Sequence, residues 1–118
     1  MATFVTVRNH SNDIQSVATR YVNDNLAVHR MIVLRDDCGD KVWGLLPRSV
    51  DRVWGWTVTH KQTGYAAARF DTIAAAVRVA EAADSLGWAS TKDAIHANTE
   101  LVESFKQLVS SEGGILCG

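Results

Sequence analysis

Residues 54–72 read WGWTVTHKQTGYAAARFDT, two runs of alternating apolar and polar residues divided by a short polar stretch that ends in glycine. Alternation with period two belongs to strands, and a glycine closing the stretch supplies the left-handed backbone that a hairpin loop needs. If Gln62, Thr63 and Gly64 form a three-residue loop, Lys61 faces Tyr65, His60 faces Ala66, Val58 faces Ala68 and Trp56 faces Phe70. One face of the hairpin then carries Trp56, Val58, Ala66, Ala68 and Phe70 and belongs to the core. The other carries Thr57, Thr59, Lys61, Tyr65, Ala67 and Arg69, a mixed polar surface. A chain holding this passage builds an antiparallel sheet round it.

The remaining elements follow from the same signals. TFVTVR, residues 3–8, is rich in β-branched residues and reads as a strand stopped by NHSND. Asn12 with Gln15 three residues on resembles a capping box, and Ile14, Val17, Tyr21 and Val22 follow at helical spacing, which predicts a helix over 12–26. HRMIVLR, 29–35, and KVWGLL, 41–46, flank DDCGD and predict a second hairpin. Pro47 opens the next reversal, and a loop over 47–50 sets Trp43 opposite Trp54 as a cross-strand core pair. Asp71 or Thr72 caps a helix through TIAAAVRVAEAADSL, with Ile73, Val77 and Ala80 as its stripe and Gly87 at its end. Ser90 and Asp93 announce a last helix over 91–111, whose broad apolar face includes Ile95, Leu101, Val102, Phe105, Leu108 and Val109.

The predicted fold is therefore α+β: a four- to five-stranded antiparallel sheet with about three helices mainly on one face, in the order β-α-β-β-β-β-α-α. With 118 residues, 47% of them hydrophobic, one proline and no low-complexity tract, the expectation is one domain over 1–112 and a flexible tail over 113–118. No stretch approaches the ~18 apolar residues of a membrane span, and the N-terminus lacks a signal-peptide pattern. Cys38 and Cys117 have neither zinc spacing nor a disulfide framework, so reduced thiols and a cytoplasmic setting are expected.

Catalytic motifs are missing. There is no phosphate loop of the GxxxxGK[ST] or GxGxxG kind, no GxSxG elbow and no HExxH. Asp36, Asp37 and Asp40 lack the alternation of a calcium loop and sit between Arg35 and Lys41, so no metal and no cofactor are assigned. Of the four histidines, His60 stands at the end of the buried hairpin face and is the one centre round which a small enzyme could be built.

A helix followed by antiparallel strands and then the alanine-rich TIAAAV resembles the order of elements in double-stranded-RNA-binding domains. That resemblance implies a lysine cluster at the start of the last helix, where this chain instead has DTIAAAV, so the main source of phosphate affinity is lost. A formal charge of −1 points the same way. Nucleic-acid binding across a basic sheet face, through Arg35, Arg52, Lys61 and Arg69, is the alternative function. The leading expectation is a non-catalytic adaptor or inhibitor that occupies a surface of a larger protein. Its contacts would be Lys61, Tyr65 and Arg69, with Trp43 and Trp54 where exposed, and the helix over 91–111 offers a homodimer seam. The hairpin-then-helix style is similar to small accessory proteins of phages and mobile elements, some of which block host machinery.

Overall fold

The structure, a computed structural model, describes residues 3–8, 14–30, 32–37, 40–45 and 55–116, the segments 32–37 and 40–45 by their backbone. Its strands are β1 (Phe4–Arg8), β2 (Ile14–Ala18), β3 (Tyr21–Val22), β4 (Leu26–Arg30), β5 (Ile32–Asp37), β6 (Asp40–Leu45), β7 (Trp56–His60) and β8 (Ala66–Phe70). Helices α1 (Ile73–Ala83), α2 (Lys92–Ala97) and α3 (Thr99–Ser111) follow, and a last strand β9 (Ile115–Leu116) closes the order. The fold is α+β, centred on an antiparallel five-stranded sheet in the order β3-β4-β7-β8-β9, with two separate two-stranded pairs, β1-β2 and β5-β6.

The main core lies between this sheet and the helices. Leu26, Val28, Val58, Ala68 and Phe70 project from one sheet face to meet Ala75, Ala76, Val79, Ala80 and Ala83 of α1, and Phe105 and Val109 of α3. Alanines let α1 approach the sheet closely, and Thr72 caps it by accepting from the Ala75 N–H at 3.2 Å. The buried face of α1 is displaced from the stripe expected, for Ile73 and Val77 are half-buried at its flank.

The helix expected over 12–26 is not formed. Ile14–Ala18 pairs along its whole length with β1, Val17 opposite Val5, and Tyr21–Val22 pairs with β4. Ile14 and Val17, three apart, share a face only in a helix; as a strand the segment buries Val17 and leaves Ile14 exposed, and it is rich in β-branched, poorly helix-forming residues. Pairing with β1 decides, because an unpartnered strand leaves a row of unsatisfied backbone groups. With that helix goes the architectural likeness to a double-stranded-RNA-binding domain.

The last helix is two helices. Asn98 leaves helical geometry (φ −87°, ψ 88°), ends α2 and caps α3 by accepting from the Leu101 N–H at 3.2 Å. Thr91, rather than Ser90, caps α2. Leu101, Phe105 and Val109 of the apolar face offered as a dimer seam are buried within the chain itself, while Ile95, Val102 and Leu108 are half-buried.

Residues 113–116, expected as the start of a tail, form a helix end and a short strand. Gly113 (φ 72°) and Gly114 return hydrogen bonds to the Ser110 and Val109 carbonyls, the six-to-one and five-to-two pattern that ends a helix at a left-handed glycine. The chain then turns to set Ile115 opposite Arg69 and Leu116 opposite Ala68 as the sheet's edge.

The β5-β6 hairpin forms, Asp37 opposite Asp40 and Leu34 opposite Trp43, with other bounds than expected: His29 and Arg30 of the strand expected over 29–35 pair with β7 as part of β4, and Asp36, Asp37 and Asp40 of the expected turn extend the ladder. The Trp43–Trp54 pair lies outside the described residues, as do Arg52 and both cysteines; β7 has its two edges taken by β4 and β8.

Candidate functional site

The hairpin of the opening passage holds the expected register at its open end and departs from it near the loop. Trp56 faces Phe70, Thr57 faces Arg69 and Val58 faces Ala68, but the register then shifts so that Thr59 faces Ala66. His60 donates its N–H to the Tyr65 carbonyl at 3.0 Å and accepts from the Gly64 N–H at 2.8 Å, which makes the loop the four residues Lys61–Gly64, with Gly64 at φ 79°. Ala67 is the extra residue of a bulge and packs against the main core in place of Ala66.

The bulge separates residues expected to share a surface. Tyr65 lies opposite His60, which lies opposite Leu26 of the core face, so Tyr65 belongs to the helix side and carries the Lys92 ammonium over its ring at 4.6 Å. Arg69 lies opposite Thr57 on the other face. Lys61 is exposed at the loop and donates to the Asn23 carbonyl at 2.7 Å. Lys61, Tyr65 and Arg69 therefore do not form one contact surface. Of the basic set considered for nucleic acid, Arg35 has only its backbone described and Arg52 lies outside the described residues, so no basic face is assembled from what is described.

His60 is a packed residue. Its ring stacks on Trp88 with centroids 5.2 Å apart, and Trp88 meets Phe105 edge-on at 5.3 Å while its indole N–H donates to the Ala83 carbonyl at 2.7 Å. Nδ1 accepts from the Thr63 N–H at 3.4 Å and lies 3.0 Å from the Thr63 hydroxyl, which places the ring proton on Nε2. Burial pushes the His60 pKa below its ordinary value.

Sequence reasoning missed the second face of the sheet, which is closed and largely polar over β4 and β7. His29, Thr57 and Arg69 stand in one row across β4, β7 and β8, with Thr59 and Ala27 in the next. His29 is 1% and Thr57 2% exposed. The His29 ring is fully engaged: Nδ1 donates to the Arg30 carbonyl at 2.7 Å, so Nε2 accepts from the Thr59 hydroxyl at 2.7 Å. Burial lowers its pKa; the bond to the Arg30 carbonyl opposes this, and the nearby Arg69 charge adds to it.

Thr57 and Arg69 are not satisfied in this way. Thr57 Oγ1 and Arg69 Nε are both buried without a hydrogen-bond partner, side by side in register. An unmet buried polar atom costs about 1–3 kcal/mol, and more when it is charged. Only the three-strand register reveals this, since His29, Thr57 and Arg69 are far apart in sequence. Replacing Thr57 by valine, which keeps the shape and removes the unmet hydroxyl, should leave stability unchanged or raise it by up to about 1 kcal/mol. Urea denaturation reads this, and a clear loss would mean that the hydroxyl has an acceptor.

Both lowered histidines give stability a sign with pH. Between their folded pKa values and the ordinary 6.5, the unfolded chain binds protons that the folded chain does not. Stability therefore rises with pH through that window, is complete above 6.5 and is lost as pH falls below it. Urea midpoints should be higher at pH 7.5 than at pH ~5.5, a range above most carboxylate titration. Equal midpoints would mean that neither ring titrates abnormally.

Among the described residues no group of three or more His, Cys, Asp or Glu gathers to hold a metal ion, and no helix is long and apolar enough to cross a membrane. No family model matches the chain, and no curated protein or solved structure is similar to it.

Proposed function

We propose that this chain is a non-catalytic binding protein that works through protein–protein contacts, as a small adaptor or inhibitor of a larger protein in the cytoplasm. The observation that carries the reading is the edge of the five-stranded sheet at β9. Ile115 and Leu116 are 40% and 44% exposed there, on a strand of two residues that, among the described residues, has a neighbour on one side only. An open edge with apolar side chains on both faces is a surface that chains avoid leaving bare unless something pairs with it. His60, stacked on Trp88 and hydrogen-bonded to Thr63, lends no support to a catalytic reading.

The test is retention from host lysate at low and at high salt, with the Leu116→Lys variant beside the wild type. A defined protein held by the wild type at both salts and lost from the variant is the expected result. Nucleic acid held at low salt and released at high salt, with no protein companion, would replace this reading by the nucleic-acid one.

A further inference from the structure

We infer that the β9 edge and Arg69 together receive an extended acidic segment of a protein partner, which adds to β9 as a strand and sets a carboxylate on the Arg69 guanidinium. The inference rests on the protein-binding reading above and gives the partner's chemistry. Its first ground is Arg69. The residue is half-buried, is in no ion pair among the described residues, and has a buried Nε without an acceptor. The described neighbours in its row do not supply one: both His29 nitrogens are engaged, Thr57 Oγ1 makes no hydrogen bond to it, and Ile115 is apolar. A cation held this way is explained by an anion that arrives from outside.

The second ground is where the row ends. Ile115 lies directly opposite Arg69 and so shares its face, and the row runs from buried His29 and Thr57 through half-buried Arg69 to exposed Ile115. The sheet is thus closed over β4 and β7 and open at β8 and β9, on the side where Arg69 lacks its partner. An added strand would lie two strand spacings from β8, about 10 Å, which an arginine and a glutamate span together. Strand addition needs main-chain groups in an extended peptide, which selects a protein segment over a phosphate backbone. A second copy of this chain, pairing β9 with β9, would bring another Ile115 and another Arg69, and so like charge, into the row.

The experiment uses a fluorescent peptide of alternating valine and glutamate, the same peptide with glutamine for glutamate, and a single-stranded oligonucleotide. Binding is read by anisotropy, and protection of the Ile115 and Leu116 amides by hydrogen exchange. The glutamate peptide should bind and protect both amides, the glutamine peptide should bind at least tenfold more weakly, and Arg69→Gln should remove the difference. Ile115→Glu, at an exposed position that leaves Arg69 in place, should weaken the glutamate peptide by a similar factor through repulsion. Equal binding of the two peptides, or no binding of either while a lysate protein is still retained by Arg69→Gln and Ile115→Glu, would overturn the inference and spare the protein-binding reading. Preference for the oligonucleotide, lost in Arg69→Gln, would overturn both, and concentration-dependent dimerisation through β9 would make the second copy the occupant instead.

Discussion

Replacing Phe70 by alanine should cost the fold about 3–5 kcal/mol, the range for truncating a large buried ring. Phe70 is fully buried at the end of β8, opposite Trp56, and belongs to the cluster that joins the sheet to α1 and α3. Its ring also supports the turn into β9, because a Cβ on Gly114 would stand 2.3 Å from Phe70 Cε1. The cavity left by alanine would therefore touch sheet, helices and edge strand at once, and little could collapse to fill it. Since domains of this kind are held by about 5–15 kcal/mol in all, the variant should be close to unfolding at body temperature. Urea denaturation is the measurement, with Phe70→Leu as the milder comparison; a loss under ~1 kcal/mol would mean that the ring is not the keystone described.

The second large effect is expected at Gly114. Any side chain there meets the Phe70 ring at 2.3 and 2.6 Å and the Arg69 carbonyl at 2.9 Å, so Gly114→Ala must push β9 off the sheet or displace the ring. Overpacking of this kind costs about 1–3 kcal/mol. Gly113→Ala is the informative partner. Its Cβ would meet nothing within 4 Å, so its cost is the left-handed backbone alone, at φ 72°, about 1 kcal/mol. Amide exchange separates the two: Gly114→Ala should lose protection at Ile115 and Leu116, whereas Gly113→Ala should keep the β8-β9 pairing. If Gly114→Ala kept that pairing, the close approach of the backbone to Phe70 would not be what positions the edge.

Much of the architecture was legible because its signals are local. The α1 segment has a cap residue, a helical apolar stripe and many alanines, and the second hairpin has an Asp- and Gly-rich reversal between two β-rich runs. The hairpin at 56–70 was readable as far as Val58 and Ala68. Beyond that point three- and four-residue loops are both compatible with KQTGY, and what separates them is distant. His60 sits opposite Leu26 and against Trp88, and this arrangement goes with the bulge at Ala67. One extra residue puts Tyr65 on the helix side, so that Lys61, Tyr65 and Arg69 share no surface.

The segment from 14 to 22 fails for a related reason. Its apolar spacing reads as helical, and its β-branched residues and the pairing offered by β1 and β4 override that pattern. The candidate site was the least legible part, because an unmet hydrogen-bonding group is a property of neighbours. Nothing in Thr57 or Arg69 taken singly marks them, and their side-by-side position depends on the register of β7 with β8.

By itself the amino-acid order determined the α+β class, the main hairpin, the alanine-rich helix and most of the main core, since each rests on periodicity, turn residues or capping within a few positions. The tertiary structure alone decided that Ile14–Ala18 and Tyr21–Val22 are strands, that the second sheet face is closed over β4 and β7, that 115–116 forms the edge, and that Arg69 stands beside it with a buried Nε lacking a hydrogen-bond partner. Those outcomes depend on contacts between residues remote in sequence, where register and burial, rather than local preference, carry the free energy.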